Sequence, residues 1–235
     1  MKIENQIEFY DNYWSERKLL NNLKLRRAVK ILDYFIVVKR AIKTPRIIEL
    51  GCGDGRFTSF IGEFGNADGI ELSKKAVEEA NQLYPHVNYF HGNVIDFPLQ
   101  ESIYDVVISQ EVIEHIEEQQ QYIDVCHKAL KPGGYLILTT PNKRVLDHLE
   151  GGNWSNQPIE KVLDPRTLKA LIKTKFEIID YDSIIPNFGR LGYFKIVNNS
   201  FITGFFNKIG LRKTRENVLG KLGYGLHQCI FAQKK

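Results

Sequence analysis

Between Arg46 and Phe57 the chain reads RIIELGCGDGRF, a short apolar run followed by Gly51, Gly53 and Gly55 at alternate positions and then by a helical pattern. Glycine adopts positive φ without strain and lets another group come within van der Waals contact of the main chain. Alternate glycines between a strand and a helix therefore mark a tight loop that either packs closely on itself or holds a ligand. After Pro45 the pattern repeats: RIIEL with Arg56 to Glu63, ADGIEL with Ser73 to Leu83, VNYFHG, YDVVIS with Glu111 to Leu130, and YLILTT. Strands alternating with helices in this way indicate parallel βαβ units.

Ahead of that region Leu19, Leu20, Leu23, Ala28, Ile31, Leu32 and Phe35 recur at helical spacing, placing one or two amphipathic helices between Trp14 and about Lys43. Ser73 opens its helix as an N-cap. LKPGGYLIL marks a helix end, a turn and a buried strand. Asp164 caps a further helix with Pro165 at its first position. FEIIDYDSII and GLHQCIFAQ read as strands, and the stretch from Pro186 to Tyr224 between them is too irregular for one more βα unit.

The 235 residues suffice for one core domain with appended segments, and 26% charged with 43% hydrophobic residues is ordinary for a globular enzyme. A net charge of +4, with the basic LKLRRAVK spaced like one helix face, gives no nucleic-acid footprint. Cys52, Cys126 and Cys229 lie far apart, which argues against a disulfide framework or a zinc site and suits a reducing cytoplasm. No signal-peptide core opens the chain, and no run approaches the roughly 20 apolar residues that cross a bilayer. The expectation is a soluble, cytoplasmic protein without membrane insertion.

The ligand of the glycine loop follows from spacing. A dinucleotide fingerprint is GxGxxG, with its helix N-terminus free for a pyrophosphate. Here the pattern is GxGxG and Asp54 lies inside the loop, where it repels phosphate and tolerates a cation. Glu71 stands twenty residues past Gly51 at the end of the second strand, where a carboxylate accepts both ribose hydroxyls. Together they point to an adenosine-type ligand without phosphates and away from a nicotinamide dinucleotide.

IIELGCGDG, GIELS, GNVIDFPL, YDVVISQEVIEHI and LKPGGYLILTTPN occur in that order over about residues 45 to 142, and this segment resembles the class I S-adenosylmethionine-dependent methyltransferases. The resemblance implies an α/β, Rossmann-like, seven-stranded and mostly parallel sheet of order 3-2-1-4-5-7-6, with GLHQCIFAQ as the antiparallel last strand. It implies residues 1–44 as an N-terminal helical segment or lid, and 45–235 as the core with acceptor-binding insertions at about 143–161 and 186–224. It also implies S-adenosyl-L-methionine as cofactor and S-adenosyl-L-homocysteine as product. Carried over by position, Glu49, Gly51, Cys52, Gly53, Asp54 and Gly55 line the methionine and ribose side, Glu71 holds the ribose, and Leu72 packs on the adenine. Asn93, Val94 and Asp96 match the loop that reads the adenine edge. The family often has Asp where this chain has Asn93, whose carbonyl still accepts a hydrogen bond. Ser109 and Gln110 match positions whose backbone meets the methionine part.

The acceptor side leaves alternatives open. Tyr10, Tyr13 and Trp14 in FYDNYW either fold over the donor, where rings suit a sulfonium, or staple the segment to the core; Tyr10 is counted among the cofactor-binding candidates. In SQEVIEHI, Glu111, Glu114 and His115 stand at i, i+3 and i+4 and share one face if helical. They form a plain polar face, or offer His115 as a general base, or hold a divalent cation that activates a hydroxyl. The pattern is similar to the metal-binding stretch of small-RNA 3′-terminal 2′-O-methyltransferases and to part of the ubiquinone-pathway O-methyltransferases. Those families add a histidine after the fifth strand, where this chain offers His148 and, near the expected position, Gln157, so a metal is not expected. Phe188, Tyr193, Phe194, Phe201, Phe205 and Phe206, interleaved with basic residues, form either an acceptor wall for a polar or acidic small molecule or a packed helical subdomain, the second being favoured for half of them. The expected activity is methyl transfer to a hydroxyl, and in second place an amine, of a small metabolite or sugar. RNA 2′-O-methylation is the first alternative, disfavoured by weak basicity. A non-catalytic S-adenosylmethionine-binding protein is the second, opposed by the glycine loop and Glu71.

Overall fold

Parallel strands covered on both faces need near-continuous apolar runs, and RIIEL and YDVVIS supply them at the centre of the molecule. The computed structural model describes residues 3–14, 21–149, 158–186 and 188–235. Two helices come first, Ile3–Tyr13 (α1) and Asn22–Ala41 (α2). Arg46–Leu50 (β1), Arg56–Gly62 (α3), Asn66–Glu71 (β2), Lys74–Leu83 (α4) and Asn88–His91 (β3) follow. Then come Tyr104–Gln110 (β4), Gln119–Ala129 (α5), Leu130–Pro141 (β5) and Lys143–Leu146 (α6). Pro165–Lys173 (α7), Phe176–Ile184 (β6), Phe194–Val197 (α8), Ser200–Lys208 (α9), Arg212–Lys221 (α10) and His227–Lys234 (β7) complete the chain.

The strands form one sheet of order β3-β2-β1-β4-β5-β7-β6. β1 pairs parallel with β2 and β4, β2 with β3, and β4 with β5, whereas β7 runs antiparallel to both β5 and β6. This is the topology that the resemblance implies. Side chains alternate across a strand, so β1 sends Ile48 and Leu50 to one face and Ile47 to the other. The first face is filled by Tyr122, Ile123 and Cys126 of α5 and Leu168 and Ile172 of α7. The second is filled by Ile31, Tyr34, Phe35 and Val38 of α2 and Ile61 of α3. Each fully buried aliphatic side chain contributes about 1.5–3 kcal/mol, so the two layers fix β1 and β4 firmly. The chain leaves β1 towards β2 and β3 and returns on its other side as β4, so the strand order reverses there. Ligands bind outside the carboxyl ends of strands at such a reversal.

Ser73 accepts from the backbone N–H of Ala76, and Asp164 accepts from those of Arg166 and Thr167 with Pro165 in the first turn, as the sequence predicts. Three elements differ from expectation. The first helix ends where one was expected to begin, because Ile7, Tyr10 and Tyr13 already recur at helical spacing ahead of Trp14; Leu19 and Leu20 lie outside the described residues. β5 starts at Leu130 rather than after the glycines, and Gly133 at φ 75° absorbs the register jump from Tyr104↔Leu130 to Val106↔Tyr135. The helix expected from Glu111 is a 3₁₀ turn over Ile113–His115, and α5 begins only at Gln119. No helix among the described residues is long and apolar enough to cross a membrane.

Asn142, fully buried after β5, clamps the carboxyl end of that strand to the segment before β7. Its amide donates to the carbonyls of Gly223 at 3.0 Å and Gly225 at 2.7 Å, and its Oδ1 accepts from Arg144 N at 3.1 Å. Asn142→Ala orphans buried carbonyls and should lower the unfolding free energy in urea by about 2–4 kcal/mol. A loss below about 1 kcal/mol contradicts the clamp.

Candidate functional site

The loop after β1 is shaped by backbone that side chains resist: Gly51, Gly53 and Gly55 have φ of 76°, 53° and 72°. The N–H groups of Gly51 and Cys52 donate to Ile70 O at 2.8 and 3.0 Å, and that of Gly53 donates to Glu71 Oε2 at 2.9 Å. A Cβ at Gly51 would collide with Val112, and one at Gly53 would sit 2.5 Å from the Trp14 ring. At Gly55 it would meet Ala80 and Tyr89 at 2.8 Å, so the third glycine serves packing of α4 and β3 against the loop.

A cavity of about 410 Å³ opens above this loop at the carboxyl ends of β1 and β4. Its wall takes in Glu49, Gly51, Cys52, Gly53 and Asp54 from the first loop, and Glu71 and Leu72 from the second. Asn93, Val94 and Gln110 continue it, and Glu111, Glu114 and His115 close one side. Tyr10, Tyr13 and Trp14 at the end of α1 cover it, so the aromatic segment lies over the glycine loop. Gly55, Asp96 and Ser109 lie off the wall: Ser109 is a buried residue of β4 whose hydroxyl accepts from that of Tyr122 on α5 at 2.8 Å. Asp96 instead holds the Asn93 amide at 3.0 Å, while Asn93 Oδ1 accepts from Ile95 N at 3.1 Å. Of the two expected acceptor insertions, Glu160 reaches the wall and no described residue of 186–224 does. Gln6, Lys24, Arg27 and His227 line the cavity without having been anticipated.

Buried carboxylates dominate the electrostatics. Glu49 is 2% exposed, and its oxygens accept from Thr58 Oγ1 at 2.5 Å and Gln110 Nε2 at 2.6 Å. Burial outweighs these donors and pushes its pKa up to about 7. Glu71 accepts from Gly53 N and, at 3.0 Å, from Ser73 N, yet burial still raises it. Ser73 Oγ in turn donates to Asp11 at 2.6 Å and ties α1 to this rim. Asp54, the anionic side chain inside the loop, accepts from Arg56 Nε at 2.7 Å, which offsets its charge. The sign of the cavity is therefore set by Glu49 and Glu71.

Glu111, Glu114 and His115 do not share a helix face. Glu111 stands at φ 56° with its N–H on Thr139 O, which turns its carboxylate to His227 Nδ1 at 2.8 Å and Arg27 Nη1 at 3.5 Å. Burial alone would raise its pKa, but the His227 imidazole and the Arg27 guanidinium beside it hold it below the usual carboxylate range. Glu114 turns to Thr140 Oγ1 at 2.9 Å, and burial together with the charge of Glu111 raises it well above an ordinary carboxyl. His115 places Nδ1 2.7 Å from Ile159 O, and burial lowers its pKa. A carbonyl only accepts, so Nδ1 carries the hydrogen and Nε2, 3.8 Å from Glu114 Oε1, is the basic nitrogen. Among the described residues no group of three or more His, Cys, Asp or Glu is placed to hold a metal ion. His148 packs on Tyr193 and Phe194 instead, and Gln157 lies outside the described residues.

The residues present fit an adenosyl ligand with a cationic tail. Each Glu71 oxygen accepts one backbone N–H and keeps a lone pair for a ribose hydroxyl. Glu49 keeps a lone pair on each oxygen for an ammonium. The volume lies within the roughly 300–1,000 Å³ of small-molecule sites.

Comparison with known proteins agrees with this geometry. Residues 48–138 match a family model described as a methyltransferase domain. A Mycolicibacterium smegmatis protein named "Probable S-adenosylmethionine-dependent methyltransferase" is 34% identical over 98 residues, 41% of this chain and 38% of the relative. A Rickettsia typhi protein named ubiquinone biosynthesis O-methyltransferase is 27% identical over 198 residues, 76% of this chain and 80% of the relative. The match spans less than half the length of the first curated relatives. Among solved structures, the N-methyltransferase NodS of Bradyrhizobium japonicum in complex with S-adenosyl-L-homocysteine superposes with a TM-score of 0.66 over 98% of both chains at 14% identity, which shows the shared fold.

The raised Glu49 generates a pH prediction. A ligand ammonium favours the ionised carboxylate, so binding releases a proton wherever the free site is protonated. S-adenosyl-L-homocysteine affinity, measured by calorimetry, should therefore fall as pH drops through about 7, approaching about tenfold per pH unit. Glu49→Gln should flatten most of that dependence. Wild-type affinity that is constant across this window contradicts the role of Glu49.

Proposed function

We propose that this chain, a member of the class I S-adenosylmethionine-dependent methyltransferases, moves a methyl group to a hydroxyl of a small molecule held in the cavity beneath α1. The observation that carries the reading is His115, which lines the same cavity as the glycine loop and Glu71 and whose Nδ1 is engaged by the Ile159 carbonyl, leaving Nε2 as the basic nitrogen. The name of the Rickettsia typhi relative supports hydroxyl chemistry. Three buried free cysteines support a reducing cytoplasm as the setting.

S-adenosylmethionine, when bound, would supply a methyl group on a positively charged sulfur that is open to in-line displacement and would leave as S-adenosyl-L-homocysteine. The chain does the rest. Glu71 would hold the donor's ribose beside the glycine loop, and Glu49 would offset its ammonium charge. Tyr10, Tyr13 and Trp14 cover part of the cavity, and the lower local polarity strengthens each charged contact inside it. His115 would take the proton of the acceptor hydroxyl at Nε2 as that oxygen is methylated. Because burial lowers its pKa, His115 is neutral and ready to accept at physiological pH. The Ile159 carbonyl fixes its tautomer and stabilises the imidazolium that forms. Arg27 and Arg56 in the wall are already paired with Glu111 and Asp54, which leaves little positive charge for a phosphate backbone and favours a small acceptor over an RNA strand.

An acceptor screen with phenolic, sugar and amine compounds tests the reading. With the best hydroxyl acceptor, His115→Ala should lower turnover at saturating donor by about 10²–10⁴ while leaving S-adenosyl-L-homocysteine affinity unchanged. The wild-type rate should fall at pH below the depressed His115 pKa, and the variant should lack that limb. Unchanged turnover removes the base assignment, and product with amines alone removes the hydroxyl reading.

A further inference from the structure

Helices α8, α9 and α10 carry a surface that the active site does not use. Between Arg190 and Leu222 stand seven lysines and arginines and a single acidic residue, Glu216. That excess of six exceeds the +4 of the whole chain, so the remainder of the molecule is net negative. Lys195, Lys208 and Lys213 have no acidic partner among the described residues.

Apolar residues are exposed between those charges. Phe201, Phe205 and Ile209 follow one another at i, i+4 and i+8, one row of α9 and its end, and Phe201 is 83% exposed. Ile196 on α8 is 68% exposed, and Val218 and Leu222 continue the exposed set along α10. No residue of Ser200–Lys208 is buried. A surface helix ordinarily turns its apolar face to a core, and an apolar patch rimmed by polar groups marks a surface that something else covers. Under this rim lies a polar cavity of about 350 Å³ lined by Arg190, Arg212, Arg215, Ser200, Thr203 and Glu216 among others, in which Glu216 pairs with Arg212 at 2.9 Å and the arginines outnumber it.

We propose that the α8–α10 face docks on an anionic phospholipid surface, with Phe201, Phe205 and Ile209 entering the acyl boundary and the basic rim meeting the headgroups. The aliphatic members decide between partners. Single-stranded nucleic acid needs ring faces for stacking, and Ile196, Ile209, Val218 and Leu222 offer none. Hydrocarbon accepts them all, and aromatic residues with lysines and arginines on the polar side compose an interfacial helix. The net negative remainder of the chain orients the molecule with this face towards the bilayer. The docking is peripheral, and it stands independently of the methyl-transfer reading.

Flotation of the full chain with vesicles tests the proposal. With phosphatidylglycerol in phosphatidylcholine at low salt the protein should float, about tenfold or more above its partition to phosphatidylcholine alone, and high salt should release it. The double variant Phe201→Ser, Phe205→Ser and the double variant Lys208→Glu, Lys213→Glu should each lose most of this partition. Both alter exposed residues outside the active-site cavity, so S-adenosyl-L-homocysteine affinity should be unchanged in each. Wild-type protein that stays with the pellet fraction at low salt overturns the proposal, as does equal binding to neutral vesicles. A concentration-dependent dimer abolished by the phenylalanine variant, or tighter binding to a single-stranded oligonucleotide than to vesicles, overturns it in favour of a second copy or of nucleic acid.

Discussion

The carboxylate of Glu71 joins two loops that the sheet alone leaves separate. One oxygen accepts from Gly53 after β1 and the other from Ser73 after β2, so the glycine loop is held open at the point where the strand order reverses. Ser73 extends the chain of bonds to Asp11, and Trp14 three residues later settles against Gly53. A single buried carboxylate thus sets the shape of the loop, the position of the covering helix and the ribose end of the cavity. The Gly51 and Cys52 N–H groups on Ile70 O and the Tyr89 hydroxyl on Gly55 O hold the loop's base, whereas Glu71 alone reaches from Gly53 to Ser73.

That arrangement carries an electrostatic cost. Glu49 and Glu71 are buried against their own charge, and in each case burial outweighs the hydrogen bonds that favour ionisation. Such a cavity is poised for a cation, and a ligand that brings one relieves the strain of both groups. On the other side, Glu111 is already matched by His227 and Arg27, and burial together with the charge of Glu111 raises Glu114 above an ordinary carboxyl. The cavity therefore has a cation-seeking half near the glycine loop and an internally neutralised half near His115. This division suits a reaction in which positive charge disappears from one half as a proton arrives in the other.

Much of this was legible in the sequence because it depends on local chemistry. β-branched runs and their spacing gave the parallel strands, Ser73 and Asp164 announced their helix starts, and the glycine loop with Glu71 located the cavity. What was missed depends on contacts between distant segments. Glu111 leaves the helical pattern because Thr139, Arg27 and His227 draw it away, and no spacing within SQEVIEHI encodes them. Gly55 leaves room for Ala80 and Tyr89, and the Ser109 side chain turns to Tyr122, contacts between distant segments that the motif spacing does not encode. The helical segment expected over 1–44 begins at Ile3, ahead of the apolar spacing that marks α2, because the aromatics of FYDNYW lie on α1 and its end. In 186–224, Phe194 is buried whereas Phe201 and Phe205 stand exposed, and composition alone does not separate the two.

The central claim is that this crevice binds an adenosyl donor through Glu71. Calorimetric titration of S-adenosyl-L-homocysteine into wild type and Glu71→Ala, with circular dichroism to confirm the fold of each, tests it most directly. The account predicts binding of about micromolar strength that the substitution weakens by about 1.5–3 kcal/mol, the loss of hydrogen bonds to a charged group. No heat from the wild type, or equal affinity in the folded variant, contradicts it.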